Sequence, residues 1–305
     1  MSDRYPRLRL YSEFEGQRRL TLREGVNITF YMRRAHREVM HGALDALDSY
    51  RRAVGSQVLG WYVDPEGEWR ELDDSGWAVI RQELLQAEGA RLILAERPDA
   101  KTGYGFVYRG RPLDVPDYVA SPGELTTLSC WVPTEYLEEH GPVQVRELAI
   151  DLGTRLPFQS GHAGLGFHFD EALMGMTRQV RELSFTYPGL DISNLDITSE
   201  DMGMRLDGVH WLSFLGPPVL SEVGGAAGLR SRLRSPETTV QALEGERAVI
   251  TLGPQPEAGN VEPERTLAPY RELARLLEPW LFLDRPRFRG FTAEDMRRWE
   301  RRFLD

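Results

Sequence analysis

Apolar residues follow helical spacing in some segments of the chain and strand spacing in others. Helical spacing over 39–54, and again after the Asp73-Asp74-Ser75 cap cluster, predicts two helices in the N-terminal part. Residues 18–32 predict two strands that turn at Glu24-Gly25. Two further strands are predicted over 91–96 and 104–108.

The C-terminal part repeats this alternation of strands and helices. Strands are predicted over 125–132, 161–169, 209–215 and, as a hairpin, 238–243 with 247–252. Helices are predicted around 145–152, 173–183 and 267–280, with a last one after Thr292. We therefore predict an α+β fold, a mixed or antiparallel β-sheet covered by helices, and leave two similar α/β halves open as an alternative.

The connection between the two parts is rich in residues that favour turns. Residues 109–124 hold three prolines and two glycines, a composition typical of a domain boundary. It predicts an N-terminal α+β half over 1–115 and a C-terminal α+β half over 116–305, which could still form one compact unit.

Composition and charge restrict the function. The 305 residues carry 37 Lys plus Arg against 47 Asp plus Glu, so the net charge is −10. We therefore expect no direct nucleic-acid binding and a protein partner that is basic. The single cysteine, Cys130, excludes an internal disulfide framework. A polar start and the lack of an apolar run of roughly 20 residues lead us to expect a cytoplasmic protein with no membrane segment.

The common catalytic motifs are absent from the sequence. It contains no Gly-x-Ser-x-Gly, no His-Glu-x-x-His and no Gly-x-Gly-x-x-Gly. The only lysine, Lys101, follows Ala100, which excludes a phosphate-binding Gly-Lys loop. We therefore favour a non-enzymatic function that needs no cofactor.

One group of residues keeps an enzymatic alternative open. His168-Phe-Asp170, with His210 further along the chain, has the His-x-Asp and distal His pattern that binds non-haem Fe(II). Residues two apart on a strand project to the same side, so His168 and Asp170 could share an ion with His210. In the non-metal interpretation, Asp170 caps a following helix and His168 faces solvent.

Two acidic segments are candidates for protein recognition. The first spans 64–74 beside tryptophans, and the second contains Asp191, Asp196, Glu200, Asp201 and Asp207. Charge runs are most often solvated surface, but carboxylates that steer a partner beside buried aromatic anchors also characterise a protein interface. The aromatic content favours the first segment, whose predicted partner-binding residues are Trp61, Glu66, Glu68, Trp69 and Glu71.

Several segments resemble a known family. They are 160–167, 187–191, 208–216, 240–253 and 270–280, and the most specific are Tyr-Pro-Gly-Leu-Asp at 187–191 and Trp-Leu-Ser-Phe-Leu-Gly at 211–216. From about Leu20 to Phe303, the chain resembles the bacterial type VI secretion immunity proteins, first catalogued as a domain of unknown function. The resemblance implies a protein that binds and neutralises a secreted toxin, and it implies no catalytic residues.

Three functions follow from these observations. The first is an immunity protein that blocks a toxin by protein–protein contact, over an interface of about 1,600 Å² in total. The second is the Fe(II) oxygenase-like enzyme that uses His168, Asp170 and His210. The third is a binding partner of a peptide or a biosynthetic enzyme.

Overall fold

The computed structural model describes residues 5–14, 16–98, 102–259 and 267–305. The strands are β1 (Leu10–Phe14), β2 (Gln17–Met32), β3 (Trp61–Val63), β4 (Trp69–Glu71), β5 (Ala90–Ala95), β6 (Gly105–Gly110), β7 (Thr126–Pro133), β8 (Ser160–Phe169), β9 (Leu212–Leu215), β10 (Thr238–Leu243) and β11 (Arg247–Leu252). The helices are α1 (His36–Val54), α2 (Asp74–Leu84), α3 (Thr134–Thr154), α4 (Met176–Thr186), α5 (Leu195–Asp201), α6 (Val219–Glu222), α7 (Gly225–Arg232), α8 (Ala268–Leu277) and α9 (Ala293–Glu300), with a 3₁₀ turn at Glu278–Trp280.

Within the described residues, these eleven strands form one antiparallel sheet. Their order is β10-β11-β9-β8-β2-β7-β6-β5-β3-β4, and β1 pairs with the first part of β2. This confirms the predicted α+β fold. The sheet crosses the predicted boundary at 115/116, because β6 pairs directly with β7. The division into two halves stays a prediction.

The predicted turn at Glu24-Gly25 is wrong, because β2 runs through both residues as one strand. Glu24 is buried, and its carboxylate accepts hydrogen bonds from the Leu8 amide (2.9 Å) and the Thr134 hydroxyl (2.8 Å). Gly25 pairs with Gly166 of β8. Contacts from distant parts of the chain thus stabilise an extended backbone where the local sequence favours a turn.

Helices α1, α2 and α3 pack on one face of the N-terminal part of the sheet. Strand β6 shows how the two faces differ: Phe106 and Tyr108 are fully buried, whereas Val107 and Arg109 are only partly buried. The Tyr108 hydroxyl lies 2.8 Å from Nδ1 of His36, the first residue of α1. The side of β5 and β6 that faces away from these helices is left partly open to solvent.

The Trp131 side chain lies on this second face, next to Gly25 of β2 and Gly166 of β8, which have no side chains. A Cβ added to Gly25 would lie 2.7 Å from the indole Cζ2 and 2.8 Å from the Val132 carbonyl oxygen. A Cβ on Gly166, the cross-strand neighbour of Gly25, would lie 3.7 Å from the same indole. The two glycines therefore provide the space in which a large aromatic ring lies close to the sheet.

We expect Gly25→Ala to lower the free energy of unfolding by about 1–3 kcal/mol, because the added methyl group overlaps the indole and a backbone oxygen. Urea unfolding followed by circular dichroism measures the change. Gly105→Ala on β6 is the matched control, since its added Cβ would lie 3.6 Å from the Leu94 carbonyl oxygen; we expect a change within about 0.5 kcal/mol. Equal stability of the wild type and Gly25→Ala would contradict the described packing.

Candidate partner-binding surface

The predicted partner-binding residues lie together on a hairpin at one edge of the sheet. We call residues 61–71, which form β3, the turn and β4, the acidic hairpin. Trp61 pairs with Glu71, and Val63 pairs with Trp69, so these four side chains share one face. Glu66 and Glu68 are exposed in the turn, and both tryptophans are half-buried. The structure therefore brings all five predicted residues into one small region.

Other carboxylates of the same acidic segment stabilise the local fold. Asp64 accepts hydrogen bonds from Arg70 Nε and the Glu68 amide, both at 2.8 Å. The hydrogen bond from Arg70 is the main cause that holds the pKa of Asp64 below its ordinary value. Asp73 caps α2 by accepting a 2.8 Å hydrogen bond from the Gly76 amide. By contrast, Glu66, Glu68 and Glu71 have no ion pair with the described residues.

A groove of about 400 Å³ adjoins the acidic hairpin on the open face of β5 and β6. We call it the open groove. The side chains that form its walls and floor include Val63, Trp69, Arg91, Ile93, Tyr104, Val107, Arg109, Trp131, His168 and Asp196. Val63 and Trp69 belong to both the acidic hairpin and the open groove, so the two form one continuous surface.

The second acidic segment is divided between buried and exposed carboxylates, since Asp196, Glu200 and Asp201 are exposed. Asp191 and Asp207 are buried. Asp196 makes an ion pair with Arg109 at the edge of the open groove, and Glu200 lies 3.6 Å from Arg111. These four carboxylates have partners within the protein, and Asp201 is the one exposed carboxylate of this segment without an ion pair to a described residue. We favour the acidic hairpin because it carries three such carboxylates beside two tryptophans.

A buried polar cluster lies near the other end of β8. The His162 and His210 rings stack with their centroids 3.9 Å apart and an interplanar angle of 13°. His210 Nε2 lies 3.4 Å from Oδ2 of Asp191. The other carboxylate oxygen of Asp191, Oδ1, lies 3.3 Å from Arg302. A neighbouring ion pair of the same cluster joins Arg285 to Asp207 at 2.6 Å. All of these groups are almost fully buried.

The charges of the buried cluster balance each other. Burial by itself raises the pKa of Asp191, yet His210 and Arg302 hold that pKa below its ordinary value. Burial also raises the pKa of Asp207, an effect that Arg285 opposes. Burial lowers the pKa of His162 well below its ordinary value, and His210 adds to this effect. Two carboxylates and two guanidinium groups therefore offset one another around the histidines.

The buried cluster contains a set of possible metal ligands, since one ligand atom each from His162, Asp191 and His210 lies within 4.8 Å of the others. However, the lone pair of a neutral imidazole lies in the ring plane, so two stacked parallel rings do not direct their lone pairs at one ion. Arg302 also neutralises the only carboxylate of this set. As arranged, these residues fit a buried ion-pair network better than a divalent cation.

The predicted iron ligands do not converge. The His168 ring contacts the tilted Trp131 ring, with centroids 4.1 Å apart. His168 lies six residues along β8 from His162, a distance of about 20 Å along a strand. His210 stacks on His162 instead. The Asp170 carboxylate accepts a 3.0 Å hydrogen bond from the backbone amide two residues further on. The structure therefore places His210 in the buried cluster and His168 beside the open groove.

Sequence reasoning missed the grouping of His162 and Asp191 with His210. A signal was present, because three of the family-like segments each contain one member: 160–167 has His162, 187–191 has Asp191 and 208–216 has His210. These segments identify buried structure, whereas the predicted binding residues lie outside them.

We expect the stability of the protein to decrease as the pH falls below about 6.5. Below this pH the unfolded chain binds a proton on His162, whereas the folded protein keeps His162 neutral. This group alone therefore lowers the free energy of unfolding by up to about 1.4 kcal/mol for each unit by which the pH falls. His162→Phe keeps an aromatic ring beside His210 but cannot titrate. Urea unfolding between pH 6.5 and 5 should therefore show a smaller slope for this variant.

The control for this substitution is His41→Phe, at an exposed position on α1. Both variants are compared with the wild type by the pH dependence of the unfolding free energy, not by its absolute value. Identical slopes for the wild type and His162→Phe would show that His162 is not held neutral by burial among Asp191, Asp207, His210 and Arg285.

Comparisons with known proteins support one of the three predicted functions. The sequence model of a family described as "TsiV: Type VI immunity for VRR-NUC" matches residues 43–303. The Pseudomonas aeruginosa T6SS protein PA0821 has a similar fold, with a TM-score of 0.80 and 19% sequence identity over 97% of this chain and 87% of that chain. No curated protein matches. Because the matched segment covers most of the chain, this protein belongs to the TsiV family of type VI immunity proteins for VRR-NUC.

Proposed function

We propose that this protein neutralises a VRR-NUC toxin of a type VI secretion system by binding it through the acidic hairpin. The family match supports the immunity function and the class of toxin. It also favours this function over the oxygenase-like enzyme and over the partner of a peptide or biosynthetic enzyme. The position and charge of the acidic hairpin support the choice of surface.

The observation that carries this choice is the set of unpaired carboxylates on the acidic hairpin. Glu66, Glu68 and Glu71 are exposed and make no ion pair with the described residues, unlike Asp64 beside them, which is bonded to Arg70. A nuclease must attract the phosphates of its substrate, so the surface around its substrate site is positively charged. Three free carboxylates complement such a surface.

The half-buried tryptophans give the acidic hairpin an apolar component. Trp61 and Trp69 lie on the same face as Glu71, so one partner can contact all three. Aromatic side chains in the centre of an interface contribute most of its binding energy, while charges around them raise the association rate. The net charge of −10 adds a long-range attraction for a basic toxin.

We place this function in the cytoplasm, where a nuclease toxin reaches DNA. Among the described helices, none has the length and apolar character needed to span a bilayer.

We expect the triple variant Glu66→Lys, Glu68→Lys and Glu71→Lys to weaken toxin binding at least about 100-fold, or about 2.7 kcal/mol. Reversed charges would repel a basic partner where they now attract it. Biolayer interferometry with the purified VRR-NUC domain measures the affinity, and growth of cells that co-express the toxin measures protection. The thermal midpoint should stay nearly unchanged, because the three side chains are exposed.

The matched control reverses three exposed glutamates at the opposite edge of the sheet, as Glu237→Lys, Glu244→Lys and Glu246→Lys on the β10–β11 hairpin. This variant has the same net charge as the first one. If the location of the charge matters, the control binds and protects like the wild type. Full protection by the acidic-hairpin variant would show that the toxin does not bind through the acidic hairpin.

A further inference from the structure

The open groove contains a pair of arginines, of which only Arg109 has an ion pair with a described residue. Arg91 of β5 and Arg109 of β6 are directly opposite each other in the strand register, which places their Cβ atoms about 4.5–5.5 Å apart on one face. Like charges in this position repel each other. Asp196 makes an ion pair with Arg109. Arg91 is exposed, and it has no ion pair or side-chain hydrogen bond with any described residue.

The remaining carboxylate of the open groove does not balance this charge. Glu171 lies beyond the end of β8, forms no ion pair with Arg91 or Arg109, and also borders a second cavity whose lining includes Arg287 and Arg289. In a chain with a net charge of −10, the guanidinium group of Arg91 therefore lacks a carboxylate partner among the described residues. An incoming acidic group would remove the repulsion between Arg91 and Arg109.

The floor of the open groove next to the arginines is apolar. Ile93 of β5 pairs with Val107 of β6, one step along the same face from the arginine pair. Beyond them lies the Trp131 indole, and its buried Nε1 has no hydrogen-bond partner among the described residues. The open groove thus offers a cationic end and an adjacent apolar surface.

We propose that an acidic–apolar segment of the toxin docks in the open groove, with a carboxylate between Arg91 and Arg109 and an apolar side chain over Ile93 and Val107. This inference rests on the proposed function and specifies the chemistry of the bound segment. Arg91 and Ile93 are two residues apart on a strand, a step of about 6.6 Å. The docked segment therefore has an Asp or Glu about two positions from an apolar residue when it is extended.

Charge complementarity and continuity of the surface favour a segment of the same toxin as the occupant. The open groove shares Val63 and Trp69 with the acidic hairpin, so a protein held by the hairpin also reaches the groove. Basic parts of the toxin face Glu66 and Glu68, while an acidic segment faces the arginines. This alternation of sign gives the contact a defined register and disfavours partners that are uniformly basic.

The test compares the affinity of four proteins for the purified VRR-NUC domain of the cognate toxin. Arg91→Glu should weaken binding about 30-fold or more, and Arg91→Lys should retain affinity within about 10-fold because the charge remains. Arg275→Glu, at an exposed position on α8, is the control of equal charge and should bind like the wild type. The thermal midpoint of Arg91→Glu should not fall, because the new carboxylate lies opposite Arg109.

A crosslinking experiment identifies the docked segment. A photoreactive amino acid at position 107 should crosslink a toxin peptide that has an Asp or Glu within three residues of an apolar residue, and the same probe at position 66 reports contact with the acidic hairpin. If Arg91→Glu binds the toxin as tightly as the wild type does, docking in the open groove is overturned. The same holds if position 66 crosslinks to the toxin and position 107 does not. In either case the proposed function still stands. Failure of the wild type to bind the toxin would overturn both.

Discussion

Strand β2 pairs with β7 on one side and with β8 on the other, and this pairing positions both polar regions of the protein. One face of β2 carries the apolar residues Val26, Ile28, Phe30 and Met32, all fully buried. The opposite face carries Gly25, which makes room for Trp131 in the open groove. Tyr31, on that same face, donates a 2.6 Å hydrogen bond to Asp207 of the buried cluster. A shift of one residue in this register would displace both regions together.

The fold was predictable where the local pattern and the tertiary contacts agree. The hairpin formed by β10 and β11 has the predicted bounds, and α1 covers the predicted helical segment. The prediction of a turn at Glu24-Gly25 failed because the Thr134 hydroxyl and the Leu8 amide, both distant in sequence, donate hydrogen bonds to the Glu24 carboxylate. The sequence around Glu24 does not indicate these hydrogen-bond partners. The same limit applies to the buried cluster, whose members come from separate elements.

The predicted binding residues illustrate what a single sequence can identify. Alternation of tryptophan and glutamate over 61–71 marks a surface segment, and the structure brings those residues together on one hairpin. The open groove was not predicted, because Arg91 and Arg109 lie 18 positions apart and become neighbours only through the pairing of β5 with β6. The sequence also does not show which carboxylates lack an ion pair. Asp64 and Glu66 are neighbours in the same segment, but Asp64 is bonded to Arg70 and Glu66 has no ion pair with the described residues.

If the protein acts by binding a nuclease toxin and blocking it, titration of the toxin with this protein should abolish the toxin's activity. DNA cleavage by a fixed amount of the purified VRR-NUC domain is measured while this protein is added in steps. We expect cleavage to fall in proportion to the added protein and to stop at about one molar equivalent. Undiminished cleavage in the presence of a large molar excess would contradict it.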